Sequence, residues 1–210
     1  DVWDGQLAEH GAVVTAARID ILEALRLHFI EAYGSIAPHS RPADLAYLPT
    51  AGADLLPPAG ESADVEHIRQ SLLDRLADLR SKEIDRGVCL VGPHRDDVGV
   101  ILGDEIAKGF ASHGESWSLA LSLRLASVAL ARAEGVEPVI MLDDVFAELD
   151  AARRRKLAEF TADAEQLLVT AAVAEDIPSG IGGRRVAIEV VADEEGRRSV
   201  LATGEEATGD

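Results

Sequence analysis

The densest chemistry in this sequence lies at Val139-Ile140-Met141-Leu142-Asp143-Asp144, where four apolar residues run into two adjacent carboxylates. The apolar run predicts a strand buried on both faces. The carboxylates then fall at its C-terminal end, where open parallel sheets bind ligands. A hard Mg2+ ion takes oxygen ligands and keeps several waters. One carboxylate suits such an ion, and the second suits the orientation of an attacking water. An acidic pair that merely caps the next turn is the plain alternative, and the hexapeptide alone supports both readings evenly. Further on, Asp150 sits where it would cap the helix that follows.

A second segment, Ala111-Ser112-His113-Gly114-Glu115-Ser116-Trp117, leads into the apolar run from Leu119 to Ala126. A Ser-x-Gly turn opening a helix offers free backbone N–H groups and the positive end of the helix dipole, which suit a phosphate. Many helices begin this way, so the signal is weak alone. Trp117 reads as core or rim packing. A third segment, Gly92-Pro93-His94-Arg95-Asp96-Asp97, is a turn presenting one cation and two anions, read as an internal Arg–Asp pair. A metal site at His94 lacks further Cys or His nearby. A fourth, Gln166-Leu167-Leu168-Val169-Thr170-Ala171, is a short strand. No Gly-x-x-x-x-Gly-Lys-Ser/Thr loop occurs, and neither does the dipeptide Gly-Lys.

The elements that would position these residues alternate between helix and strand. Residues 6–33 are expected to be helical, with Leu22, Leu25, Phe29 and Tyr33 on one face. The Pro- and Gly-rich stretch 34–60 is a connection with a short strand near Leu45–Leu48. A second helix is expected to start at Ser62 as its cap, to carry Val65, Ile68, Leu72, Leu76 and Leu79 as its stripe, and to end at Gly87. Strands are expected at 88–91, 98–102, 139–142 and 166–170, helices at 116–134 and 151–164. A hairpin of 185–191 and 199–202 would turn at Glu194-Glu195-Gly196, and the tail from Thr203 is expected to fray. Neither early helix sustains a heptad, which excludes a long coiled coil. The alternation implies an α/β head with a largely parallel sheet.

Composition narrows the classes. Hydrophobic residues make up 47% of the 210, enough for a packed core. The formal charge is −18, with 38 acidic against 20 basic residues, so this piece is not expected to wrap DNA alone. The basic clusters at 153–156, 184–185 and 197–198 read as solvated faces. One cysteine, Cys89, leaves no internal disulfide and suits a reducing cytoplasm. No apolar run reaches membrane-spanning length, and no signal peptide is seen. The start at Asp1, already amphipathic, reads as a fragment.

The run from Val139 through Asp143-Asp144-Val145-Phe146-Ala147-Glu148-Leu149-Asp150, with Arg153 and Leu157, resembles the Walker B strand and D-loop of the RecF family of DNA-repair ATPases. Ser112-His113-Gly114-Glu115 lies upstream, where ABC-type ATPases keep their signature loop, and Gly92-Pro93-His94-Arg95 resembles the run where the RecF arm rejoins the head. The sequence departs from the pattern at Glu115, where Gln is usual, and at Ser116-Trp117, where relatives often carry a basic residue. Ala171 stands where many ABC-type ATPases have a switch histidine, with Thr170 as a partial substitute. The resemblance covers nearly the whole chain but only the later half of a family member, whose Walker A loop lies ahead of the arm.

The resemblance implies an α/β fold: the C-terminal lobe of an ABC-type ATPase head (87–210) with a short helical arm subdomain (1–86). It implies that Ser112 and Gly114 contact the γ-phosphate of ATP held by a second head, that Asp143 acts through Mg2+, that Asp144 polarises the hydrolytic water, and that Asp150 reaches across the dimer interface. The partners it implies are gapped DNA at single/double-strand junctions, an N-terminal Walker A half, a second copy on ATP, and RecR- and RecO-like mediators that help load RecA. The place implied is the cytoplasm, at the nucleoid, and the activity a slow DNA-dependent ATPase, inert in this piece alone. Rival readings are half of another SMC-like or RecN-like ATPase, a non-enzymatic dimerisation or partner-binding module, and a metal-dependent hydrolase using Asp96, Asp97, Asp143 and Asp144.

Overall fold

A computed structural model of the chain describes residues 2–58, 60–193 and 196–202. They group into two compact units, Asp1–Pro138 and Val139–Asp210. The first is built on α1 (Val2–Ile36). Small residues at Ala8, Ala12 and Ala16 lead into Ile19, Leu22, Phe29 and Tyr33, all buried. This is the helical spacing that forms one stripe. Phe29 and Tyr33 stack with ring centroids 6.3 Å apart. Against α1 pack α2 (Val65–Arg86) and α3 (His113–Ala133). α1 thus packs against helices on both sides of position 86/87.

Ile68, Leu72 and Leu76 form the buried stripe of α2. Its cap is Asp64, not Ser62: the Asp64 carboxylate accepts the N–H groups of Glu66 and His67. Gly87 ends the helix at φ 66°, a left-handed turn that glycine adopts without a Cβ clash. Three antiparallel strands, β1 (Ala43–Leu48), β2 (Asp97–Leu102) and β3 (Glu105–Ile106), complete the unit, with Ala43 opposite Leu102 and Leu48 opposite Asp97. A two-pronged ion pair from Arg26 to Asp44, at 2.6 and 2.8 Å, ties α1 to β1.

The strand expected at 88–91 does not form. Side chains from elsewhere take its backbone groups: Glu83 accepts the Leu90 N–H at 2.6 Å, and Arg95 Nε donates to the Cys89 carbonyl at 3.0 Å. With those groups engaged, the segment needs no sheet neighbour.

The second unit holds β4 (Ile140–Asp143), α4 (Ala151–Thr161), β5 (Leu167–Thr170), β6 (Ile188–Asp193) and β7 (Gly196–Leu201). β4 and β5 run parallel, with Ile140 opposite Leu167 and Asp143 opposite Thr170, while β6 and β7 form an antiparallel ribbon. Among the described residues this is the only parallel pair, and parallel pairing does not extend to the other two sheets. Nor is β4 buried on both faces. Ile140 and Leu142 are buried, but Met141 between them is 73% exposed, as period-2 alternation requires when one face stays uncovered. Glu194-Glu195 of the expected hairpin turn, and the tail from Thr203, lie outside the described residues. Among the described residues no helix is long and apolar enough to cross a membrane.

Candidate functional site

The C-terminal end of β4 carries the acidic pair, and the parallel register sets Thr170 of β5 beside it. The Thr170 hydroxyl donates to Asp143 Oδ1 at 2.5 Å. The Asp144 N–H donates to the Thr170 hydroxyl at 3.1 Å and to its carbonyl at 3.2 Å. Asp144 itself lies at φ 52°, ψ 23°, the single non-glycine residue with positive φ among those described. Asp and Asn tolerate this left-handed region better than most residues. The turn ends the strand abruptly and starts a 3-10 turn, Val145–Glu148, in which Phe146 is buried. Both carboxylates are exposed.

Asp150 caps α4, accepting the N–H groups of Ala152 and Arg153, and its carboxylate pairs with the Arg153 guanidinium at 2.9 Å. The hydrogen bond from the Arg153 N–H, aided by that cation, holds Asp150 below the usual carboxylate range. The neighbouring basic cluster is similarly engaged: Arg154 with Asp176, Lys156 with Glu159.

In the other unit, Ser112 and Glu115 form a reciprocal cap at the start of α3. The Ser112 hydroxyl accepts the Glu115 N–H at 3.3 Å, and the Glu115 carboxylate accepts the Ser112 N–H at 2.9 Å. Arg41 reaches Glu115 at 3.2 Å. The Ser112 hydrogen bonds, then Arg41, bring the Glu115 carboxyl down to about 2. The Glu115 carboxylate at this helix start thus meets a cation of its own chain. Arg41 lies 74 residues from Glu115, and no local pattern announces the pairing. A Cβ built on Gly114 would meet nothing within 4 Å, and Gly114 has no positive φ. Its own chain's packing therefore does not demand a glycine there. Trp117 is half-buried.

The expected Arg95–Asp pair does not form. Asp96 instead accepts the Tyr47 hydroxyl at 2.8 Å, and the Thr50 N–H and hydroxyl at 2.7 and 2.8 Å. Both oxygens of Asp96 are thereby engaged within the fold.

Among the described residues no cluster of three or more His, Cys, Asp or Glu could enclose a metal. Mg2+ commonly takes one or two carboxylates and completes its shell with waters and phosphates. Exposed Asp143, oriented by a hydroxyl, fits one such position.

No family model matches the chain. It is 54% identical, over 205 residues, to the DNA replication and repair protein RecF of Rhodococcus erythropolis strain PR4, covering 95% of this chain and 50% of that protein. Two solved structures of the recombination mediator protein RecF in the RecFOR pathway are also similar. The one with ATP gives a TM-score of 0.69 at 26% identity, covering 83% of this chain and 45% of that one. The one with ATPrS gives 0.71 at 26%, covering 88% and 47%. This chain corresponds to the C-terminal half of a RecF-family protein. It spans about half the length of the curated RecF relative it matches. The α/β class expected from the alternation of elements agrees with the RecF structures.

Proposed function

We propose that the chain supplies the carboxylate end and the signature loop of an ATP-controlled DNA-repair protein, completed by a segment that carries the phosphate-cradling loop. The observation that carries this reading is the exposed Asp143-Asp144 pair, hydrogen-bonded to Thr170, at the C-terminal end of the parallel β4–β5 pair. The RecF structures with ATP and ATPrS support the nucleotide class. Asp143 would hold Mg2+, which when bound would supply charge neutralisation at the phosphates. Asp144 polarises and orients the attacking water. Ser112 and Gly114 receive the γ-phosphate of a nucleotide bound by a second copy, and the open space around Gly114 leaves room for that approach. Asp150 reaches across the same interface. Residues 1–86 serve as the arm and 87–210 as the head lobe. DNA at single/double-strand junctions, RecO- and RecR-like mediators and RecA loading belong to the whole protein, whose work lies with DNA in the cytoplasm.

The test is ATP hydrolysis by the chain alone, then mixed with a Walker A half, with and without gapped DNA. Inactivity alone, DNA-stimulated turnover on mixing, and its loss in Asp144→Asn are expected. Robust hydrolysis by the chain alone would sink the reading.

A further inference from the structure

Thr170 is bonded to both members of the acidic pair at once. A hydroxyl has one proton to give and lone pairs to receive. The hydroxyl gives its proton to Asp143 Oδ1, at 2.5 Å. The Asp144 N–H then fills a lone pair on the Thr170 hydroxyl oxygen, at 3.1 Å. Both functions of the hydroxyl are committed, in opposite directions, to consecutive residues. The Thr170 carbonyl shares that N–H at 3.2 Å, so the left-handed backbone of Asp144 is fastened to Thr170 by two acceptors.

We propose that Thr170 is a positioning residue for nucleotide-bound Mg2+: its hydroxyl sets the orientation of Asp143 toward the hydrated cation and fastens the turn that aims Asp144. This rests on the reading above, in which the pair serves a Mg2+–ATP complex. The side chain that orients a metal-binding carboxylate normally costs ten- to a hundredfold in metal affinity or activity when removed. Valine keeps the branched shape of threonine in a strand and removes only the hydroxyl, so Thr170→Val isolates the two bonds.

The experiment uses the chain joined to a Walker A segment, with Thr170→Val, Thr170→Ser and Asp143→Asn compared to the unsubstituted protein. Mn2+ uptake in the presence of ATP is followed by electron paramagnetic resonance, and turnover is titrated with Mg2+. T170V is expected to weaken Mn2+ uptake and raise the Mg2+ needed for half-maximal turnover by about tenfold or more, with ATP affinity measured in EDTA unchanged. T170S, which keeps the hydroxyl, is expected to restore most of both. Unchanged Mn2+ uptake in T170V alongside weakened uptake in D143N overturns the role of Thr170 and leaves that of the carboxylates standing. Unchanged uptake in D143N as well overturns the carboxylate reading on which the proposal rests. T170S weakened as much as D143N also overturns it, and that comparison decides the matter should T170V fail to fold.

Discussion

The two candidate loops settle their polar groups in opposite ways. At the start of α3 the bookkeeping is closed: Ser112 and Glu115 satisfy each other's N–H groups, and Arg41 neutralises the carboxylate. At the end of β4 it is left open: Asp143 and Asp144 are exposed, and the backbone bends into a left-handed turn that Thr170 fastens. A helix start that satisfies itself contributes to folding. A left-handed turn carrying exposed carboxylates contributes little to folding and is where function tends to be kept. The first loop should therefore be costly to disturb for stability, the second for activity.

The sharpest separation is expected at Asp144. In the chain joined to a Walker A segment, Asp144→Asn should lower ATP turnover by about a hundredfold or more, the usual scale for a lost general base. Its unfolding free energy from urea titration should change by no more than about 0.5 kcal/mol, as for other surface substitutions. A comparable loss of stability would break the comparison. Next comes Ser112→Ala, expected to destabilise the chain by about 1 kcal/mol in the same urea experiment through the lost cap. No change there would show that α3 does not depend on its reciprocal cap.

Acid offers a finer probe. The Glu115 carboxyl is depressed from 4.5 to about 2, so its contribution is fully present above 4.5 and is lost as pH falls through about 2. Melting temperature followed across that window should fall less steeply in Glu115→Gln than in the unsubstituted chain. Parallel curves would mean that the cap does not hold the proton off. The smallest effect is expected for Arg41→Met. Arg41 is 46% exposed, and ion pairs so open to water are worth well under about 1 kcal/mol. A larger loss in urea unfolding would promote Arg41 from a neighbour to a mainstay of the cap.

Much of this was legible in the sequence because it is local. Periodicity located α1 to α4, Asp150 announced itself as a cap, and Gly87 as a helix end. Position along the chain also marked Asp143 and Asp144 as the end of a strand. What escaped depends on partners far away in sequence. Asp96 turns to Tyr47 and Thr50 instead of adjacent Arg95, and Arg41 finds Glu115. A nearer case is 88–91, which looks like a strand but has two backbone groups taken by the side chains of Glu83 and Arg95. Two polar residues in reach of one helix start left Ser62 and Asp64 indistinguishable by type, since both cap well. Thr170 was visible as the end of a strand. Only the β4–β5 register shows that it faces Asp143.

The left-handed backbone at Asp144 also limits how this position can drift over generations. Asparagine and glycine enter that conformation readily, so both are neighbours that leave the turn intact. Glutamate keeps the charge but has a longer side chain and lacks the short local bonding that eases Asp and Asn into this region. The replacement that looks most conservative on paper is therefore the one that would require the turn to be rebuilt. A lineage exchanging Asp for Glu here would be expected to carry a second change, in the turn or in the strand that fastens it.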